Sequence, residues 1–68
     1  MIVYKIDILE ELKKKGYNTN VLRIQKIFGQ ATIQNFRHKE YINFTNLDKL
    51  CELLECQPGD IIEYRKDE

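Results

Sequence analysis

The sequence predicts an all-α chain, a small bundle of short helices whose two terminal segments are able to pair as a short two-stranded ladder. Two observations carry the prediction. In FTNLDKLCELLE, Phe44, Leu47, Leu50, Cys51 and Leu54 recur at three- and four-residue spacing, the mark of a helix with one apolar stripe. Helix punctuation also recurs along the chain. Asp7, Asn18 and Asn43 are good N-caps, Gly16 suits a helix end, and Pro58 suits the first turn of a further helix.

The 68 residues have room for one domain, residues 1–68, and a chain this small buries only roughly 60% of the surface its unfolded form exposes. The core is therefore thin. A hydrophobic content of 43% with 32% charged residues is that of a folded soluble chain, far from disordered composition. No apolar run approaches the roughly 20 residues that cross a bilayer. The N-terminus has one lysine and then Asp7, without the apolar stretch of an export signal. A cytoplasmic protein is expected.

MIVYKI alternates Ile2, Tyr4 and Ile6 on one side, with the two-residue period of a strand. Asp7 followed by Glu10 resembles a capping box that opens helix 1, with Ile8, Leu9 and Leu12 toward the core; a start near Tyr4 is the alternative. Lysines 13–15 then fall in the last turn, where cations suit the helix dipole, and Gly16 ends it. Asn18 or Thr19 caps helix 2. Its apolar positions Leu22, Ile24, Ile27 and Phe28 fit no single face, so a short or irregular helix is expected. Gly29 supplies a turn, and the next helix runs from Gln30 to about His38, burying Ile33 and Phe36. Asn43 caps helix 4, PGDII forms a further short helix, and IIEYRKDE is free to extend as a strand against MIVYKI.

The formal charge is zero, yet it is distributed in blocks. Residues 1–12 sum to minus two, residues 13–39 to plus seven with no acid among them, and residues 40–68 to minus five. If the middle block forms one contiguous face, that face attracts a polyanion although the whole is neutral, because local potential steers encounter. The alternative is that the blocks interleave in space. Within the basic block, IFGQATIQNFRHK offers amides, a hydroxyl and cations without a carboxylate, whereas a solvated helix face usually mixes both signs.

The residues that chemistry would need are scarce. General acid–base catalysis needs groups held together with tuned pKa values, and this chain has one histidine, no serine and no glycine-rich phosphate loop. An enzyme is not expected, nor a cofactor. Cys51 and Cys56 stand too close in sequence for an easy bridge across a helix end, so two reduced thiols are expected, Cys51 in the core and Cys56 at the helix end. Without a Cys-x-x-Cys pair, no familiar zinc spacing exists.

Taken in order, FGQATIQNFR and then NLDKLCELLECQPGDIIEY resemble the compact helix-turn-helix domain of the Cro/phage-repressor, or Xre-like, regulators, over nearly the whole chain. The resemblance implies a compact five-helix repressor-like bundle in which the helix beginning at Gln30 is the recognition helix. Gln30, Ala31, Thr32, Gln34 and Asn35 would then read base edges in the major groove. Arg37, His38 and Lys39 would meet phosphates, as would Asn18 and Thr19 at the start of helix 2, flanked by Arg23 and Lys26. The chain departs from the family's pattern at Arg23 and Ile27, where a small residue and a glycine are usual, and its glycine comes later, at Gly29.

The expected function is thus a sequence-specific regulator that binds double-stranded DNA, pairing as a homodimer on a two-fold operator. Its candidate pairing surfaces are MIVYKI and IIEYR, unless these pair within one chain. The alternative function is a protein-interaction module, an antitoxin-like or adaptor subunit on the same scaffold. For Gln30, Gln34 and Asn35 the plainer reading is a solvated helix face, for His38 a surface residue, and for Tyr17 and Tyr41 either the edge of a DNA surface or the closure of a small core.

Overall fold

The computed structural model describes residues 1–66; of the terminal segment, Asp67 and Glu68 lie outside the described residues. Five helices and two short strands follow in the order β1 (Ile2–Tyr4), α1 (Ile8–Lys14), α2 (Thr19–Ile24), α3 (Gln30–Arg37), α4 (Phe44–Leu54), α5 (Pro58–Ile61) and β2 (Ile62–Tyr64). The all-α bundle with a terminal ladder is therefore the fold. β1 and β2 pair antiparallel within the chain, with Ile2 opposite Tyr64 and Tyr4 opposite Ile62. The backbone hydrogen-bonding capacity that MIVYKI and IIEYR had to offer a second copy is spent on each other along this edge.

α1, α2 and α4 each begin at a side-chain cap. The Asp7 carboxylate accepts from the Glu10 N–H at 3.2 Å, so α1 starts there and not near Tyr4, whose backbone belongs to the ladder. The Asn18 amide oxygen accepts from the Val21 N–H at 2.8 Å, and Asn43 accepts from Asn46 at 2.8 Å. Asn18, not Thr19, is the cap of α2. At α5 the Asp60 carboxylate accepts from the Gln57 N–H at 3.0 Å, with Pro58 in the first position, where its missing N–H costs nothing.

The helix ends share one device. In α1 the Tyr17 N–H reaches back to the Leu12 carbonyl and the Gly16 N–H to Lys13, with Gly16 at φ +94°. The same crossed pair closes α2 through Ile27 to Leu22 and Lys26 to Arg23, and α3 through Glu40 to Asn35 and Lys39 to Phe36. α4 ends with the Cys56 N–H on the Cys51 carbonyl. This closure needs a left-handed residue, usually glycine, yet here it falls on Lys26 (φ 55°), Lys39 (φ 58°) and Glu55 (φ 54°). The turn after α2 is therefore made at Lys26, while Gly29 is extended (φ −71°, ψ 166°) and serves as the N-cap of α3.

A stability prediction follows from these three positions. Glu55 is exposed, and its ion pair with Lys15, at 3.5 Å between exposed side chains, is worth little. Glu55→Gly is expected to relieve the left-handed strain and raise stability by about 0.5–1 kcal/mol, a rise in Tm of about 3–6 °C in a domain of this size. A thermal melt followed by circular dichroism checks it.

The core lies where α1, α3, α4 and α5 meet. Leu12, Leu22, Leu50 and Ile61 have no exposed surface, and Ile8, Phe28, Ile33 and Phe36 are buried beside them. Phe28 and Phe36 meet edge to face at 5.0 Å between ring centroids, which ties the turn before α3 to that helix's last turn. No polar side chain is buried among the described residues. Ile24 is 68% exposed, as its misfit with the other apolar positions of α2 requires. Phe44 departs from the expected stripe: it is 85% exposed. Side chains tilt toward a helix's N-terminus, so the first residue of α4 projects past the end of the bundle, where nothing covers it.

Cys51 and Cys56 are free thiols, both half-buried and packed against the core. Burial, followed by the neighbouring Cys51 and Asp60, pushes the Cys56 thiol up. The Tyr4 phenol is likewise raised by burial and donates to the Glu40 carbonyl at 2.8 Å, which ties the ladder to the loop after α3.

Candidate nucleic-acid interface

α3 is held from behind and open in front. Ile33 and Phe36 anchor it to the core. With about 100° of rotation per residue, Ala31, Gln34, Asn35 and His38 point away from that anchor, and Gln30 and Arg37 lie along one flank. Gln30, Ala31, Arg37 and His38 are exposed; Gln34 and Asn35 are half-buried. The helix starts at Gly29, which offers no side-chain cap, and has no acid in its first turn. Its positive end is thus unneutralised by the chain itself.

Thr32 is placed differently from the other four expected base readers. It turns toward α4, where its hydroxyl oxygen accepts from the Asn46 amide at 3.3 Å in a part-buried contact. Asn46 was not among the residues singled out in the sequence, and neither was Lys49. The Lys49 ammonium donates to the Ile27 carbonyl at 2.8 Å and lies 5.4 Å above the Phe28 ring, bracing the turn that enters α3. Their sequence signal is weak, because both sit on the polar face of α4 and meet α3 or the turn before it only after the helices pack.

The expected single cationic face does not form from the whole basic block. Lys14 pairs with Glu11 at 2.9 Å, and Lys15 with Glu55 at 3.5 Å. Both line a cleft with Asp60 on the α1–α5 side, because the end of α1 packs near the end of α4. The remaining cations divide between two places. Lys13, Arg37 and Lys39 border a cleft of about 350 Å³ with Asn18 and Thr19, into which Asp7 and Glu10 also face. Arg23 and Lys26 are exposed along the end of α2, where the Arg23 guanidinium donates to the Asn20 amide oxygen at 3.0 Å. Among the described residues, Arg23, Lys26, Arg37 and Lys39 form no ion pair with a carboxylate. Asn18 has its amide oxygen committed to the α2 cap. Tyr17 is half-buried against the core, whereas Tyr41 is exposed.

A five-helix bundle with two short helices joined by a tight turn, the second amide-rich and without a side-chain cap, matches the family model for the Cro/C1-type HTH DNA-binding domain over residues 7–67. The chain belongs to that Cro/C1-type family. It is also 33% identical over 67 residues to the uncharacterised HTH-type transcriptional regulator YozG of Bacillus subtilis (strain 168), a match covering 98% of this chain and 80% of YozG. No solved structure matches it at a significant level. In this Cro/C1-type domain α2 and α3 form the helix-turn-helix pair, closed by Lys26 in place of the expected glycine. DNA binding is the property common to the family. No helix among the described residues is long and apolar enough to cross a membrane.

Proposed function

We propose that this domain regulates transcription by binding a double-stranded operator with α3 in the major groove. The observation that carries the reading is α3 itself: a helix anchored by Ile33 and Phe36 whose opposite side offers amides and a methyl, with no acid and no side-chain cap at its start. Gln30, Gln34 and Asn35 can donate to and accept from an adenine edge, and Ala31 can meet a thymine methyl. Thr32, tethered to Asn46, is assigned to orienting α3 on α4, with its methyl left for base contact. Arg37, His38 and Lys39 at the end of α3, with Arg23 and Lys26 at the end of α2, hold the phosphates. Asn18 and Thr19 lie beside Arg37 in the same cleft and complete that row. The domain works as a homodimer on a two-fold site, since one small unit makes few contacts.

Selection of bound fragments from random duplex DNA tests the reading. One enriched motif is expected. Gln30→Ala or Asn35→Ala is expected to relax preference at one or two positions of that motif by about 1–3 kcal/mol, with other positions unchanged. Recovery of no motif, or the same motif at full strength from both variants, would remove these side chains from base reading.

A further inference from the structure

We infer that Cys51 and Cys56 form a reversible dithiol site, which a low-molecular-weight disulfide oxidises to an internal bridge. Four helices of this chain close with the N–H of one residue on the carbonyl five residues earlier. That closure brings the side chains of the two joined residues together, and an apolar contact commonly fills the junction. In α1 the joined residues are Leu12 and Tyr17, and in α2 they are Leu22 and Ile27, all packed in or against the core. In α4 they are Cys51 and Cys56, joined at 3.1 Å. The chain has no other cysteine, so both of its thiols meet at one junction.

Along an uninterrupted helix, residues five apart are turned about 140° from each other, and their thiols would diverge. Glu55, left-handed at φ 54°, ends α4 between them and folds Cys56 back over the last turn. One N–H···O bond of 3.1 Å holds the two Cα atoms within about 7 Å, the separation beyond which two cysteines cannot bridge. Burial first, and then the neighbouring Cys51, raise the Cys56 thiol, as befits two thiols side by side. Cys56 is also reachable, since it lines an open cleft of about 450 Å³ with Ile6, Leu54 and Asp60. No residue of α3 lines that cleft, so the site does not depend on the operator reading.

Exchange runs in two steps. The Cys56 thiolate attacks one sulfur of the reagent R–S–S–R, forming a Cys56 Sγ–S bond and releasing RS⁻, which takes up the proton that Cys56 gave up. Cys51, also as its thiolate, then attacks Cys56 Sγ, closing the bridge and releasing the second thiol. The two cysteines together lose two electrons and two protons, and the reagent is reduced to two R–SH. A ring closed over so few residues is strained and therefore readily reduced, so excess thiol reverses the step.

Mass spectrometry of the folded chain, equilibrated with bis(2-hydroxyethyl) disulfide and about 0.1 mM free 2-mercaptoethanol, tests it. The wild type is expected to lose two hydrogens and carry no reagent. Its bridged form should exceed the singly modified form about tenfold or more, because a tethered thiol acts at an effective concentration of about millimolar or above. Excess dithiothreitol should return it to two free thiols. Cys51→Ser, or Cys51→Ala, which keeps the junction apolar, should instead hold one reagent group on Cys56. The same equilibrium in about 6 M guanidinium chloride gives the reference for an unfolded chain, over which the folded chain should favour the bridge about tenfold. A folded wild type that stays unmodified, that retains the reagent as Cys51→Ser does, or that links into dimers through single bridges overturns the inference. So does a bridge no more favoured in the folded chain than in the unfolded one, since the closure of α4 would then contribute nothing to it.

Discussion

Raising the salt from about 50 to about 200 mM will weaken binding of the proposed dimer to duplex DNA roughly 10⁴-fold, because each neutralised phosphate contributes about −0.9 to the log–log slope. The estimate follows from the four cations assigned to phosphates, which the fold leaves unpaired. Arg23, Lys26, Arg37 and Lys39 are exposed and make no ion pair among the described residues, which gives a slope of about −3.6 per copy and about −7 for two. Lys14 and Lys15 are left out of the count because Glu11 and Glu55 hold them. Arg37→Ala should weaken binding to every sequence and make the slope of the dimer shallower by about 2. Lys26→Gly is the sharper variant. It removes a proposed phosphate contact while supplying the residue that a left-handed φ of 55° favours, so binding should fall as stability holds or rises. Titrations by fluorescence anisotropy at several salt concentrations give both numbers. A flat salt dependence would favour a protein-interaction module on this scaffold.

Leu50→Ala is expected to cost about 3–5 kcal/mol, against a total stability of about 3–10 kcal/mol for a chain of 68 residues. The variant should be largely unfolded or melt far below wild type. Leu50 has no exposed surface and sits mid-way along α4, the helix that packs on both α1 and α5. With a core of ten buried residues among those described, little surrounding mass exists to collapse into the cavity. Phe44→Ala, on the same apolar stripe of the same helix, should change the stability of dilute protein by no more than about 0.5 kcal/mol, since Phe44 is 85% exposed. Urea unfolding of the two variants side by side measures the difference. Comparable losses would mean that the end of α4 is covered in solution.

The contrast between Leu50 and Phe44 shows what a linear pattern can carry. Spacing identified α4 and its buried face correctly at Leu47, Leu50 and Leu54, because helical period depends only on local geometry. It could not show that the bundle ends one turn short of Phe44. The caps were legible for the same local reason: Asp7, Asn18 and Asn43 each bond an N–H three residues ahead. The turn before α3 was less so. A glycine was expected to make it, and the left-handed residue is Lys26, tolerated because the crossed hydrogen bonds of the helix end hold it there.

The candidate site divides along the same line. Gln30, Ala31, Thr32, Gln34, Asn35, Arg37 and His38 could be assigned to the outside or edge of α3 from the positions of Ile33 and Phe36 alone. That Thr32 bonds Asn46, and that Lys49 braces the turn into α3, required knowing how α4 crosses α3. The charge blocks were read correctly along the chain and incompletely in space. Lysines next to one another in sequence radiate around a helix, so Lys13 reaches the α3 side while Lys14 and Lys15 reach carboxylates on the other.

By itself the sequence determined the helices, the caps at Asp7 and Asn43 and the acid-free stretch that holds α3's amides, all properties set within a few residues of one another. Only the tertiary structure decided which cations remain unpaired, which member of the amide row is tethered, and where apolar surface is left over at Tyr41, Phe44 and Tyr64. The physical reason is range: hydrogen bonds of caps and turns close over three to five residues, whereas ion pairing and burial depend on neighbours that folding brings in from distant parts of the chain.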